Sequence, residues 1–430
     1  MRAAILSAIE AFLDGAVAWA GIAMRSRFPR LARCRMGMRC RRRIACMWRM
    51  AGDGMTDGTT RRTLLGAMGA TLAFPIAAGH ARTARNAPTL IAGTYAREGG
   101  KGLYPIAGNG DRWRVGMPVD GIADASFGIG GGPGGMWYLV REQAQGEVSA
   151  YAPGWVRRAT VSSGGADPCH VALDRQSACL AVANYSSGSV AFFPLDRQTG
   201  APASPSVFRH ADADSFASAG KDHERQEAPH AHWVGFSPDR RWLHAVDLGA
   251  DAIFAYRFDP VSRSVAPPLV AWRAPAGAGP RHMVRHPRQP LAYVVCELSN
   301  ALHTLDARKD GMFVGRHSLS TLPAGHRGAS QAAHIAIDRA GRRIYVSNRG
   351  HDSIAVFALD AAGVPSLIQH IASGGHWPRV FALLDDERQL VVGNERSGTL
   401  AVFRIAADGR LAPTGETLSV PGVVFLGRPD

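Results

Sequence analysis

Apolar and polar positions along this chain follow a pattern with a long period. From about residue 88 onward, short apolar runs alternate with clusters of Gly, Pro, Asp, Asn and Ser, and one larger unit recurs five times. It reads PCHVALDRQSACLAVANYSSGSVAFFPLD at 168–196 and HAHWVGFSPDRRWLHAVDLGADAIFAYRFD at 230–259. RHMVRHPRQPLAYVVCELSNALHTLD (281–306), AAHIAIDRAGRRIYVSNRGHDSIAVFALD (332–360) and RVFALLDDERQLVVGNERSGTLAVFRI (379–405) follow. Each copy predicts an apolar strand, a turn, a second apolar strand ending in a polar residue, another turn and a third strand. The clearest pair is Arg343–Ser347 and Ser353–Phe357, β-branched and aromatic, with a turn expected over Asn348–Asp352. Helical periodicity is nearly absent after residue 86.

A small antiparallel sheet has two apolar faces and cannot bury both alone. Stacking such sheets around an axis buries each face on a neighbour and protects the sheet edges. The units recur about every 45–60 residues, the spacing of propeller blades. At about 49 residues per blade, the repeat region accommodates about seven. The expectation is one large all-β domain, a seven-bladed β-propeller of four-stranded antiparallel blades over residues 86–430. The 49 glycines and 26 prolines suit a chain this rich in turns.

Charge changes the picture only at the amino terminus. The formal net charge is +14, but residues 1–54 hold eleven arginines against Glu10, Asp14 and Asp53. Residues 55–85 add Arg61, Arg62, Arg82 and Arg85 against Asp57. The repeat region is therefore close to neutral, and nothing in it calls for a nucleic-acid partner. Thr60-Arg61-Arg62-Thr63-Leu64-Leu65-Gly66, a mildly apolar stretch, Pro75 and a small-residue run to about Ala81 have the form of a twin-arginine export signal over 55–85. The apolar run is too short for a stable membrane span. Residues 1–54 then read as a basic, disordered extension or an over-long start, and the protein as a periplasmic or secreted monomer whose precursor meets the twin-arginine export machinery, or as a cytoplasmic one where the signal is not used.

Of six cysteines, Cys34, Cys40 and Cys46 fall in the basic extension, and Cys169, Cys179 and Cys296 in the repeats. Neither a disulfide framework nor a zinc-like spacing is present, so buried free thiols are expected. The sixteen histidines match no tight metal-ligand spacing. Neither a metal nor a cofactor is expected. Phosphate loops, nucleophile elbows and dinucleotide fingerprints are absent from the repeats, which argues against hydride transfer and serine-hydrolase chemistry.

Chemistry in a propeller concentrates where strand ends and turns ring the central channel. Four features occupy comparable places in successive units: Pro-His-Ala-His at 229–232, Gly-Pro-Arg-His at 279–282, Glu297 with Asn300, and Ser347-Asn348-Arg349-Gly350. Together with GGHWPRVFALLD and GNERSGTLAVFR, these motifs resemble the seven-bladed lactonases. That family includes bacterial 6-phosphogluconolactonase of the propeller type and the fungal carboxy-cis,cis-muconate cyclase. The resemblance covers about residues 88–430. It implies a histidine, two arginines and a glutamate at the site, falling on His232, Arg281, Arg349 and Glu297. These residue types fit lactone opening: an arginine can stabilise the developing oxyanion, and a histidine or carboxylate can take a proton from water. His230, His282, His334 and Arg379 are the expected substrate-binding residues. Asn184, Asp247 and Asn394 are expected to fix turns.

Two departures from the family pattern stand out. His334 sits where relatives usually carry an acid, and residues 125–135 are glycine-rich in place of the usual Pro-Ser-Tyr and turn. The resemblance implies a lactonase acting on a sugar lactone, such as an aldonolactone outside the cytoplasm or the 6-phosphorylated lactone within it. A muconate-type cyclase and a non-catalytic binding propeller are the alternatives.

Overall fold

The computed structural model describes residues 88–109, 112–213, 222, 224–384 and 387–429. The basic extension, the export signal, Cys34, Cys40 and Cys46 lie outside the described residues.

Seven antiparallel sheets form a ring, six of them hydrogen-bonded in sequence order from the axis outward. We number them as blades from the amino-terminal strands. The innermost strands of blades 2 to 7 are Ala125–Ile129, Pro168–Asp174, Ala231–Phe236, Pro280–Arg285, Gln331–Ile337 and Pro378–Leu384. Blade 1 is composite. Its outer three strands, Leu90–Thr94, Leu103–Asn109 and Arg112–Val115, open the repeat region, while its innermost strand is the carboxy-terminal Val423–Gly427. The ring is thereby closed by hydrogen bonds between the two ends of the domain, with Ile91 opposite Gly427 and Ala92 opposite Leu426. Adjacent innermost strands also touch all the way round.

The apolar faces are buried between blades, as the repeat argument requires. Seven apolar clusters occupy the seven blade interfaces. Phe192, Leu243 and Phe254 join blades 3 and 4, for example, and Leu90, Val391 and Val423 join blades 7 and 1. Polar atoms within these interfaces are matched across them. The Tyr138, Tyr293 and Tyr345 hydroxyls donate to the carbonyls of Gly200, Gly363 and Gly409 on the following blade. Blades 1 and 2 approach so closely that a Cβ on Gly93 would stand 2.0 Å from the Ala125 carbonyl oxygen. Only glycine fits there.

One local expectation needs correction, and one departure from the family pattern leaves the fold intact. The strand expected to end at Ser347 runs through Arg349, because Asn348 pairs with both Ser353 and Ala332, and Arg349 with Gln331. The turn is therefore confined to residues 350–352, and Asn348 and Arg349 are strand residues. The glycine-rich stretch at 125–135 still builds a complete blade, with Trp137–Arg141, Glu147–Ala152 and Val156–Ser162 outside Ala125–Ile129. Blade 4 differs instead: its outer strand is broken into Ser264–Val265 and Leu269–Arg273.

Candidate active site

One irregularity recurs in every blade. The pairing between the innermost strand and its neighbour slips at the same point, between Ala125 and Phe127, Pro168 and His170, Ala231 and Trp233, Pro280 and His282, Ala332 and Ile335, and Pro378 and Val380. In blade 1 the register passes over Val424. A bulge leaves the extra residue out of the ladder and re-aims its side chain. The re-aimed residues are Val424, Ser126, Cys169, His232, Arg281, Ala333 with His334, and Arg379. All but Ala333 line one cavity of about 20 Å³ on the channel axis, with Phe127, His282 and Val380 beside them.

A second ring follows from the same register. The residue just past the second strand of each blade is Tyr95, Glu142, Tyr185, Leu248, Glu297 or Glu395 in blades 1, 2, 3, 4, 5 and 7. In each of these the backbone N–H bonds a carbonyl at the turn into the innermost strand. Arg349 takes this place in blade 6 through its pairing with Gln331. These residues rim the mouth above the bulge ring.

The two rings meet at Glu297, which is almost fully buried. Its Oε2 lies 2.9 Å from Arg281 Nε and 2.7 Å from Arg349 Nη2, and its Oε1 accepts from Arg225 Nη2 at 2.6 Å. Burial alone would raise the Glu297 carboxyl. Arg349, Arg281 and Arg225 outweigh it and hold the group well below the usual carboxylate range. Arg281 is 2% exposed and donates from Nη1 to the Ala333 carbonyl (2.7 Å) and to His282 Nε2 (3.2 Å). Burial and the neighbouring Arg349 depress Arg281 to about 9, against the opposing pull of Glu297, so it remains a cation at neutral pH.

The imidazoles are neutral. Burial first, and then Arg281, push His232 well below its ordinary value, and burial does the same to His170 and His282. His334 is pushed down to about 3 by burial and Arg281. Their rings form a chain, with centroids 5.2 Å apart for His232 and His282, 5.4 Å for His282 and His334, and 5.6 Å for His170 and His282. Because His282 Nε2 accepts from Arg281, its proton sits on Nδ1, which donates to His334 Nδ1 at 3.2 Å. The buried thiol of Cys169 lies 3.8 Å from His232 Nδ1. Burial pushes this thiol well above its ordinary value, which removes it as a thiolate nucleophile.

The far side of the mouth is built differently. Arg379 Nη2 donates to the Tyr95 hydroxyl at 2.9 Å and stands 4.0 Å from Glu142, while its Nη1 stands 3.5 Å from Glu395. The Oε2 atoms of Glu142 and Glu395 are buried without a hydrogen-bond donor among the described residues. Trp377, at φ +69°, stacks under Arg396 at 3.5 Å and lies 5.5 Å from Arg349.

Of the eight residues singled out in the sequence, seven converge here: His232, Glu297, Arg281, Arg349, His282, His334 and Arg379. His230 stands apart. Its ring stacks on Tyr185 at 4.4 Å and bonds the Tyr185 carbonyl and Glu227, and it does not line the cavity. Asn184, Asn348 and Asn394 bond the turn carbonyls of Ser163, Thr321 and Ser373, and Asp247 accepts from the backbone N–H groups of His230 and Ala250. Sequence reasoning missed Arg225, Tyr95, Glu142, Glu395, Ser126 and the place of Cys169 in the bulge ring. Cys169 and Glu395 share repeat columns with Arg281 and Glu297, which is the signal that could have found them, whereas Tyr95, Ser126 and Glu142 precede the five clear copies and Arg225 lies between two of them.

Seven four-stranded blades closed into a ring, with an Arg–Glu–His cluster on the channel, define the chain as a seven-bladed β-propeller. The family model described as "Lactonase, 7-bladed beta-propeller" matches residues 89–427, and the chain belongs to that family. It is 33% identical over 353 residues to the 6-phosphogluconolactonase of Bacillus subtilis (strain 168), covering 76% of this chain and 95% of that protein. Among solved structures it resembles the periplasmic gluconolactonase of Pseudomonas aeruginosa, with a TM-score of 0.72 at 27% identity, covering 79% of this chain and 98% of the other. A Lactobacillus plantarum protein gives the same TM-score at 25% identity, covering 78% of this chain and 98% of the other. Together these relatives support lactone-hydrolase activity.

Proposed function

We propose that the channel mouth hydrolyses a sugar lactone to its hydroxy acid. The observation that carries this reading is the bulge ring, which aims His232 and Arg281 into one cavity while Glu297 ties Arg281 to Arg349. A volume of about 20 Å³ accommodates roughly one water. The lactone then rests above the ring, with the attacking water beneath its carbonyl carbon.

The chemistry follows from the charges. As the water oxygen bonds to the carbonyl carbon, His232 accepts a proton at Nε2, since the ring is held neutral and only its Nδ1 has a partner among the described residues. The oxyanion that develops is met by Arg281 and Arg349, whose charges are fixed in a dry site. Glu297 favours the imidazolium that forms on His232. When the ring C–O bond breaks, His232 returns the proton to the departing ring oxygen, which becomes the hydroxyl of the product. The new carboxylic acid then loses its own proton to solvent.

The test is turnover of glucono-δ-lactone by the purified protein, followed as acid release. His232→Ala should lower kcat/KM by roughly 10²- to 10⁴-fold, the worth of a positioned acid–base group. A loss under tenfold would remove His232 from this role.

A further inference from the structure

We propose that Arg225 is a specificity-determining residue that couples recognition of a second anionic group on the lactone to the release of Glu297. This rests on the hydrolytic reading of the mouth given above.

Three observations carry it. The first is the origin of Arg225. The other guanidiniums within reach of Glu297, those of Arg281, Arg349 and Arg379, belong to blade strands, whereas Arg225 comes from the connection between blades 3 and 4. Blade 4 is the one blade whose rim position is an aliphatic residue, Leu248, and the connection delivers a cation to that gap. Its backbone is fixed there: Asp222 Oδ1 accepts from the N–H groups of Glu224 and Arg225, and the buried Gln226 donates from Nε2 to the Leu248 carbonyl at 2.8 Å. Only the side chain has freedom to change partners.

The second is accessibility. The Arg225 side chain is 31% exposed, against 2% for Arg281, 6% for Arg349 and 17% for Arg379. Among the described residues its two side-chain hydrogen bonds, to Glu297 and to the Tyr185 hydroxyl at 3.1 Å, both leave from Nη2. Nε and Nη1 make no hydrogen bond among the described residues, and a guanidinium edge of this kind has the planar geometry that binds phosphate or carboxylate through two donors.

The third is the balance of charge. Arg225, Arg281 and Arg349 share one carboxylate, whereas Arg379 on the far side faces two, Glu142 and Glu395. Among these paired groups the positive surplus lies on the side of blades 4 to 6. Charge held in a buried site calls for a partner, and the most accessible member of the surplus is Arg225.

The consequence is a link between binding and catalysis. The charged and titratable groups around Glu297 are Arg281, Arg349, Arg225, His232, Arg379 and the Tyr185 hydroxyl. Arg225 is the only one of the three directly paired arginines that a ligand can draw outward. An anionic group on the lactone that takes Arg225 frees Glu297 Oε1 and strengthens the carboxylate's pull on the His232 imidazolium. An uncharged lactone leaves Arg225 in place and lacks this assistance.

Two measurements on the wild-type protein, Arg225→Gln and Arg225→Lys decide the matter. The first is the ratio of kcat/KM for 6-phosphoglucono-δ-lactone to that for glucono-δ-lactone, which differ only by the phosphate. It should fall at least tenfold in Arg225→Gln and recover in part in Arg225→Lys; an unchanged ratio overturns the proposal. The second is calorimetric titration with inorganic phosphate and, separately, with acetate. Phosphate affinity at least tenfold weaker in Arg225→Gln supports it. Equal affinity in both proteins, or no binding to the wild type, overturns it, and the acetate arm tells a phosphate site from a carboxylate site. If the wild type opens neither lactone, the hydrolytic reading falls, while the phosphate titration still decides whether Arg225 is an anion site.

Discussion

Replacing Glu297 by Gln removes one negative charge from the centre of three guanidiniums while keeping the side chain's shape. The three contacts, at 2.6, 2.7 and 2.9 Å, involve a carboxylate 1% exposed. Breaking a buried ion pair by removing one partner costs about 3–5 kcal/mol, because the remaining charge is left uncompensated. For a domain spanning residues 89–427, unfolding entropy near the midpoint is about 0.7 kcal/mol/K, so this cost lowers Tm by about 4–7 °C. The dependence on pH is a sharper check. Glu297 is depressed in the folded protein, so the unfolded chain binds its proton first as pH falls. The stabilisation is complete well above about pH 4.5, the ordinary value of the group, and is lost below it at about 1.4 kcal/mol per pH unit. Scanning calorimetry of wild type and Glu297→Gln at pH 7, 4.5 and 3.5 should show a gap that is largest at pH 7 and narrows with acid. A variant melting within 1 °C of wild type at pH 7, or a gap that widens as pH falls, would refute the view that Glu297 is the countercharge organising the mouth.

Acid should also weaken the protein through its imidazoles. His170, His232, His282 and His334 are all held neutral in the fold, so the unfolded chain gains protons that the native state does not as pH drops below about 6.5. Stability is intact above that pH and falls beneath it, by up to about 5 kcal/mol per pH unit once all four titrate in the unfolded chain. Urea unfolding at pH 7, 6 and 5 should show the decline, and His282→Asn should flatten the histidine contribution by about a quarter. At the amino terminus, Arg61→Lys with Arg62→Lys should keep the precursor in the cytoplasm, while mass spectrometry of the wild-type protein from the periplasm should find a chain beginning near Ala81. Equal export of both forms would argue against the twin-arginine reading.

The fold was legible because its units are repeated: five copies of one strand–turn–strand pattern require the same burial solution, and adding blades around an axis is the solution that leaves no face exposed. His232, Arg281, Glu297 and Arg349 were legible for a related reason, since charged or imidazole side chains at matching places in apolar repeats have to meet somewhere. What the sequence hid is also physical. A bulge adds one residue to a strand without disturbing its apolar character, so the ring that aims Ser126 and Cys169 inward has no hydropathy signature. The turn before Ser353 was drawn too long because Asn348 and Arg349 are polar, although both sit in the ladder. Arg225 lies in an insertion, where no neighbouring copy offers a comparison. His230 was drawn in by its proximity to His232, yet a separation of two residues across a bulge is enough to turn one ring toward Tyr185 and the other into the channel.

The closure of blade 1 has a consequence for biosynthesis. Leu90–Thr94 leaves the ribosome first among the described strands, and its partner Val423–Gly427 emerges more than three hundred residues later. At about 5–20 residues per second, that interval is roughly 15–70 s. For its whole length one side of an apolar strand is unmated, and it can adhere to whatever passes. A chaperone that shelters the nascent amino-terminal hairpin would therefore matter more to the yield of this protein than one acting after release.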